Sequence, residues 1–452
     1  MRGFVSFFRS LRQYPSAIAG LIIVGILVGI SVYAVIAIPY GEAIRLWRGG
    51  AGVWDDYPRN AAPIWYDLFT PARLSRTIVL DSRTTGERTA ESLGDGTERV
   101  RIALGFDFPY DSFPTELTLY TDATYEGKRT RYSVLWTRPD GSETPIVTDR
   151  GVRTRDGYYL SQDIQLLNQM PGRTKPEIGL FLDPAQFVPG AGDPKPVKGR
   201  YTLTVEAVVP EGFEFESKLV AYGQVHGLAG TDDRRRDLTV ALLWGAPLAL
   251  IFGLLGAVGA NVTTFVLAGI GTWYGGRLDA IFQRLTQLNM LLPTLPILIM
   301  IGQFYSRSLW LMLAIIILLS IFSAGMLTYR AMFLQAKQAP YIEAAKAYGA
   351  SNFRLIFRYL LPRIVPVLLP QFVLVIPGFV FLETSLAVLG LGDPLLPTWG
   401  KVINDARGAD ALYKGYYYWV IQPAIALMFT GFGFAMIGYA LDRIFNPRLR
   451  TM

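Results

Sequence analysis

The 452 residues contain no cysteine and a single histidine, His226. The first absence excludes disulfides, thiol catalysis and cysteine-ligated zinc. The second leaves His226 without a partner for metal binding, so it reads as a structural residue rather than a ligand or a catalytic base. A Gly-x-x-x-x-Gly-Lys-[Ser/Thr] phosphate loop is also missing. Gly400-Lys401 lacks both the upstream glycine and the following hydroxyl, so ATP hydrolysis linked to this chain belongs to another one. Acidic residues are scarce outside the middle of the sequence. Residues 41–237 hold 25 basic and 29 acidic residues, whereas the remainder holds 18 basic and only 7 acidic. Basic charge placed at the edges of apolar segments is a topology signal, and it argues against nucleic-acid binding. The adjacent carboxylates Asp55-Asp56 and Asp232-Asp233 accompany no nucleophile motif, so a membrane-bound hydrolase finds no support.

What is present is apolar: 51% of the chain is hydrophobic. Ala17 to Pro39 is an uncharged run preceded by Arg2, Arg9 and Arg12, long enough to cross a hydrocarbon core of about 30 Å. It is too long for the apolar core of a cleaved signal peptide. Five more such segments follow the middle region: Leu238 to Ile270, Leu288 to Phe304, Leu309 to Leu327, Ile364 to Leu391 and Trp419 to Leu441. Six transmembrane helices are expected. With the N-terminus in the cytoplasm, the inside segments carry 14 Lys and Arg, whereas the short outside loops carry only Arg307, Lys401, Arg407 and Lys414. Both termini are therefore expected inside, and residues 41–237 outside. The division is 1–40 for the N-terminal tail and first helix, 41–237 for an external domain, and 238–452 for helices two to six. Glu383 is the one ionisable residue within an apolar span; proton- or sodium-driven transport normally needs more than one, so a secondary carrier is disfavoured.

The external region alternates β-branched or aromatic residues with polar ones in Glu116-Leu-Thr-Leu-Tyr-Thr, Arg131-Tyr-Ser-Val-Leu-Trp-Thr and Tyr201-Thr-Leu-Thr-Val-Glu-Ala-Val-Val. Turn signals Pro139-Asp-Gly and Pro210-Glu-Gly separate such runs. Short strands of this kind suggest a β-sandwich. The Gly- and Pro-rich stretch Pro189-Gly-Ala-Gly-Asp-Pro-Lys-Pro is expected to be a loop.

Between the fourth and fifth apolar segments lies a polar island, residues 335–362. Pro340 suits the first turn of a helix and Gly349 the left-handed residue that ends one. Ala344, Ala345 and Ala347 give this short helix a slim side able to enter a groove on another protein, and Glu343 offers a carboxylate to a basic partner. Ser351 can cap a second helix. Phe353, Ile356, Phe357 and Leu360 form its expected apolar stripe, and Pro362 is expected to break the pattern before the next span.

Glu343-Ala-Ala-x-x-x-Gly349 followed by Leu361-Pro362 resembles the Glu-Ala-Ala coupling loop of bacterial ABC importer permeases. Gly230-Thr-Asp-Asp-Arg-Arg-Arg-Asp237 resembles the Gly-Thr-Asp-x-x-Gly-Arg-Asp segment of the oligopeptide, dipeptide and nickel permeases, with Arg235 in place of the family's glycine. Tyr274-Gly-Gly-Arg-Leu-Asp, Leu382-Glu-Thr-Ser-Leu-Ala-Val-Leu-Gly-Leu-Gly, Pro397-Thr-Trp-Gly and Phe445-Asn-Pro-Arg-Leu are similar to that family as well. Tyr359 stands where it usually has an aliphatic residue. The resemblance is close from His226 onward and loose over Ala17 to Pro39; the large external domain lies outside it.

The resemblance implies an α-helical polytopic type I permease fold with a mainly β extracytoplasmic insertion between helices one and two. It implies a bacterial or archaeal cell membrane and a translocation pathway for peptides, shared with a second homologous permease. It further implies two ATPase subunits that bind ATP and Mg, an extracytoplasmic solute-binding protein, and no cofactor in this chain. Glu343, Ala344, Ala345, Gly349, Leu361 and Pro362 would couple to the ATPases. Glu383 would serve as a gate or as a contact between the two permeases. The external domain is expected to dock the binding protein, to gate the outer mouth or to capture substrate itself. Another class stays open: a membrane-anchored sensor or assembly protein whose β-domain binds a ligand and which would need no docking loop.

Overall fold

The computed structural model describes residues 14–123, 131–151, 154, 156–183 and 194–445. Arg2, Arg9, Arg12, the ending after Phe445 and most of the Pro189 stretch lie outside the described residues. The chain divides into two compact units, Gly49–Thr239 and the described parts of Met1–Arg48 with Val240–Met452.

In the first unit the period-two patterns become antiparallel strands: β1 (Ile78–Asp81), β2 (Glu87–Ser92), β3 (Thr97–Phe108), β4 (Glu116–Ala123), β5 (Arg131–Thr137), β6 (Glu143–Gly151), β7 (Asp156–Tyr159), β8 (Gly199–Pro210) and β9 (Phe215–Tyr222). They form a four-stranded sheet in the order β1-β9-β4-β7 and a five-stranded sheet in the order β2-β3-β8-β5-β6. Alternation along β8 turns Tyr201, Leu203, Val205, Ala207 and Val209 inward. They meet Leu117 and Leu119 of β4 and Phe215, Leu219 and Ala221 of β9 in one core, so the two sheets make a sandwich. At its centre Trp136 lies 5.8 Å from Phe106 and 5.4 Å from Phe181. Each such aromatic contributes about 1.5–3 kcal/mol by leaving water. Both turn signals deliver turns: Arg138 N–H donates to the Ser142 carbonyl at 2.9 Å across the first, and Gly212 takes φ +86° in the second. The edge strand β2, Glu-Arg-Thr-Ala-Glu-Ser, is exposed throughout, and its charges discourage pairing with another chain.

The second unit is helical. Its helices are α1 (Pro15–Ala37), α2 (Tyr40–Arg48), α5 (Leu238–Ala257), α6 (Thr263–Tyr274), α7 (Gly276–Leu291), α8 (Thr294–Phe304), α9 (Leu309–Ile321), α10 (Ala324–Lys337), α11 (Pro340–Ala347), α12 (Asn352–Arg354), α13 (Leu361–Leu386), α14 (Trp399–Gly408) and α15 (Tyr418–Phe445); α3 (Ile164–Gln169) and α4 (Pro176–Gly179) are short helices of the β unit. Tyr40–Arg48 groups with these helices rather than with the sandwich. Among the described residues four helical stretches are long and apolar enough to span a bilayer: Pro15–Ala37, Leu238–Tyr274, Asn352–Leu391 and Tyr418–Phe445. The count rises to six if each of two bent pairs is one span.

Those pairs differ from the sequence expectation. Leu288 to Phe304 is not one helix, because Pro293 lacks the N–H that would continue it, and α7 and α8 meet at 75°. Leu309 to Leu327 likewise breaks after Ile321, with a 45° bend between α9 and α10. The first span shows only 17% of its apolar window buried, against 61% for Leu238–Tyr274. The former is thus peripheral, with Ile22, Ile26 and Ile36 exposed where lipid would lie, and the latter central. Gly20 of α1 and Gly433 of α15 let these helices meet closely: a Cβ on Gly20 would stand 2.8 Å from the Gly433 carbonyl oxygen.

Candidate functional site

The polar island folds as a short helix, a turn and the start of a long one. Pro340 occupies the first turn of α11, which has an acidic residue, Glu343, at its positive end and Lys346 in its last turn. The end is a Schellman motif. Gly349 takes φ +77°, its N–H donates to the Lys346 carbonyl at 2.9 Å, and the Ala350 N–H reaches the Ala345 carbonyl at 3.1 Å. Ser351 then caps the next helix, its Oγ accepting from the Arg354 N–H at 3.4 Å.

One face of α11 belongs to the chain's own core. Ile342 and Ala345 are buried with Phe265, Phe333, Leu355, Ile356, Leu360 and Leu361, so Ala345 is not on the free side expected of it. Glu343, Ala344 and Ala347 are exposed, and Glu343 forms no ion pair among the described residues. The second stripe is corrected too. Leu355, Ile356 and Leu360 are buried, whereas Phe353 and Phe357 are exposed and lie ring against ring at 4.6 Å. A π-helical turn, Leu355–Leu360, begins just after Phe353, so the 3.6 period does not hold across this stripe. This turn also explains why Pro362 does not end the helix. Helical structure continues from Asn352 through Pro362 to Leu386, and the wide turn just before Pro362 makes room for a ring that lacks an N–H. Leu361 is buried and Pro362 exposed.

Residues outside the motif fasten the island. Lys337 Nζ donates to the Thr272 and Trp273 carbonyls, at 2.9 and 2.8 Å, satisfying the negative end of α6. Trp273 Nε1 donates to Asn352 Oδ1 at 3.2 Å, and Lys346 Nζ stands 5.0 Å from the Trp273 ring. Nearby, Arg330 holds Asp279 bidentately, Nε to Oδ1 at 2.8 Å and Nη2 to Oδ2 at 2.7 Å. In the sequence Arg330, Lys337 and Lys346 are three of the 14 inside charges and carry no motif of their own. The Tyr274-Gly-Gly-Arg-Leu-Asp signature was the one signal that pointed at Asp279.

Glu383 lies elsewhere in the helical unit, buried on α13. Thr384 Oγ1 donates to its Oε2 at 3.4 Å, while Oε1 has no hydrogen-bond partner among the described residues. It shares a cavity of about 10 Å³ with Phe252, Arg307 and Asp393. In the same unit Trp399 Nε1 donates to the Leu242 carbonyl at 3.0 Å, and Thr398 caps α14.

In the β unit the Gly230–Asp237 segment is a buried lock. Thr231 Oγ1 donates to the Pro58 carbonyl at 2.7 Å and accepts from Ala61 N–H at 3.0 Å. Asp232 Oδ1 accepts from the Arg234 and Arg236 N–H groups at 2.9 and 2.8 Å, and the Arg236 guanidinium donates to its Oδ2 at 2.5 Å. Arg235 adopts φ +68°, so the turn a glycine would make there is made. Its guanidinium donates to the Tyr57 carbonyl at 2.7 Å, pairs with Glu116 and covers the Tyr222 ring at 4.0 Å.

Residues 242–451 match the family model described as binding-protein-dependent transport system inner membrane component. The chain is similar to a dipeptide transport system permease protein of Bacillus subtilis (strain 168), 30% identical over 224 residues that cover 49% of this chain and 68% of that protein. An oligopeptide transport system permease protein of the same organism is 30% identical over 223 residues, 49% of this chain and 72% of that one. A third, the oligopeptide transport system permease protein of Lactococcus lactis subsp. cremoris (strain SK11), is 30% identical over 226 residues, 50% of this chain and 76% of that one.

Proposed function

Since the chain belongs to the permeases of oligopeptide and dipeptide ABC importers, which are translocating subunits and not enzymes, we propose that it lines a peptide pathway together with a second permease and couples that pathway to two ATPase subunits through residues 340–349. The observation that carries this reading is the two-faced character of α11. Its inner face, Ile342 and Ala345, is packed into the helical core, while its outer face presents Glu343, Ala344 and Ala347. A helix seated in this way moves with the body behind it, as a lever must. The exposed Phe353 and Phe357 beside it extend the apolar part of the docking face.

In this reading ATP and Mg are bound by the ATPases, and closure of those subunits carries the spans from inward-facing to outward-facing. Both termini face the cytoplasm, six spans cross the membrane, and the sandwich stands outside beside a solute-binding protein. Glu383, buried with an oxygen that has no hydrogen-bond partner among the described residues, is a gate or a contact between the two permeases.

The test is Glu343→Arg in the assembled transporter. Reversing an exposed charge leaves the fold intact, since Glu343 forms no ion pair among the described residues. Peptide uptake and recovery of the ATPases with the tagged permease are both expected to fall at least tenfold, about 1.4 kcal/mol of docking. Unchanged uptake with full ATPase recovery would remove α11 from the coupling path.

A further inference from the structure

The sandwich carries a cavity of about 410 Å³ that the import reading leaves unused. Its size falls within the range of about 300–1,000 Å³ usual for small-molecule sites. It opens on the outer face of the four-stranded sheet, where Asp81 of β1, Lys218 of β9, Tyr120 of β4 and Gly157 of β7 stand side by side in register. Alternation explains this row: the residues between them on each strand, Leu80, Leu219 and Leu119, point into the sandwich core.

The lining is unbalanced in charge. Five carboxylates, Asp55, Asp81, Asp122, Asp156 and Glu216, face two basic side chains, Arg83 and Lys218. Both cations are already engaged, Arg83 with Asp122 at 3.0 Å and Lys218 with Asp56 at 2.5 Å. Arg88 takes Glu216 at 3.2 Å and Arg150 takes Asp156 at 3.3 Å. Asp55 and Asp81 are left over. Among the described residues Asp55 Oδ2 accepts the Gly52 N–H at 3.1 Å and Asp81 Oδ1 the Arg83 N–H at 3.0 Å, and neither carboxylate closes an ion pair, although Arg83 also lies within electrostatic reach of Asp81. The described carboxylates do not converge as metal ligands would; no group of three acidic, histidine or cysteine side chains is placed to hold an ion among the described residues. Aromatic walls complete the cavity. Tyr120, its phenol fixed by Tyr222 at 3.1 Å, already faces a cation, Lys218 Nζ at 5.4 Å from its ring, and Tyr159 stands near it. Gly157 keeps the floor open: a Cβ there would lie 3.5 Å from the Tyr120 ring and 3.7 Å from the Tyr159 hydroxyl.

We propose that this cavity binds a small organic cation, a primary ammonium on a short flexible chain, with Asp55 and Asp81 as its counter-charges and the Tyr120 ring as its cation–π wall. An ammonium has three donors for carboxylates that are spread along a wall, and the open volume accepts the chain that carries it. The same headgroup occurs on a non-peptide amine and at the free amino end of a short peptide. The proposal stands whatever cargo the helical unit moves.

The experiment is calorimetric titration of the full-length protein with putrescine, trialanine, N-acetyl-trialanine and calcium chloride. Binding of putrescine, trialanine or both is expected, with N-acetyl-trialanine silent. Asp55→Asn combined with Asp81→Asn weakens it about tenfold or more. Gly157→Leu, which fills the floor without touching a charge, weakens it comparably, and an unchanged thermal midpoint certifies the fold of each variant. Putrescine alone supports the site and excludes a peptide amino end as its source. The proposal is overturned if neither amine binds, if N-acetyl-trialanine binds as well as trialanine does, if calcium binds in their place, or if folded variants bind as the parent does. Peptide held in the translocation pathway would survive these sandwich substitutions and so be told apart.

Discussion

Arg235 shows how one residue can be costly and useful together. A left-handed backbone costs a non-glycine residue about 1–2 kcal/mol, yet here the side chain closes an ion pair with Glu116 and a stack on Tyr222 that glycine could not make. The sequence shows the departure from Gly-Thr-Asp-x-x-Gly-Arg-Asp but not its compensation, because Glu116 and Tyr222 come from distant strands. His226 is the complementary case, a titratable ring made structural by burial. It lies 4.5 Å from the Tyr57 ring, and desolvation pushes it below its ordinary value of 6.5, with Asp237 pulling weakly the other way. The unfolded chain therefore binds a proton that the folded sandwich refuses, and stability falls as the pH drops through 6.5. Glu177 and Asp232, pushed up by burial, work in the opposite sense, so the comparison must be between variants. Thermal unfolding of the full chain between pH 7.5 and 5.5 is expected to show a steeper loss for the parent than for His226→Gln, by at most about 1.4 kcal/mol per pH unit. Parallel curves would mean that the ring is not held neutral.

Among the elements, α11 depends on its ending as much as on its faces. Nothing lies within 4 Å of a Cβ built on Gly349, so the cost of Gly349→Ala is purely that of its φ of +77°, about 1 kcal/mol. Faster amide exchange over residues 345–350 and weaker ATPase recovery are expected, with Gly349→Asn milder because asparagine tolerates this conformation. Equal behaviour of alanine and asparagine would show that the Schellman turn does not set the helix's exit. This ending was legible in the sequence, as were Pro340 and Ser351, because caps are local chemistry. The buried faces were not. A period of 3.6 groups Phe353 and Phe357 with Ile356 and Leu360, yet both rings are exposed, and the π turn at Leu355–Leu360 that interrupts this period has no short sequence signature. Pro293 and the bend of α7 against α8 could have been suspected from the proline; the bend after Ile321, with no proline nearby, could not. On the sandwich, β4, β5 and β8 were readable from alternation, whereas β2 has no buried residue to give it a pattern.

At the scale of the whole molecule, hydropathy and charge predict a polarity that geometry alone does not supply, since a bilayer has two sides and the helices look alike from either. The 14 to 4 distribution of Lys and Arg is an energetic argument about insertion. From it Tyr348 of the coupling turn is expected inside and both residues 392–418 and the sandwich outside. The lack of cysteine makes this directly measurable, because any introduced thiol is the only one in the chain. Tyr348 and Tyr413 are 92% and 95% exposed, and Leu93 lies exposed in the sandwich, so each accepts a cysteine at little cost. In intact cells a membrane-impermeant maleimide is expected to label Tyr413→Cys and Leu93→Cys at once, and Tyr348→Cys only after permeabilisation. The opposite pattern would put Glu343 out of reach of any cytoplasmic ATPase and with it the lever. Labelling of Tyr413→Cys and Tyr348→Cys from the same side would instead mean that α13 does not cross, although its 26 residues extend about 39 Å at 1.5 Å per residue, more than the hydrocarbon thickness of about 30 Å.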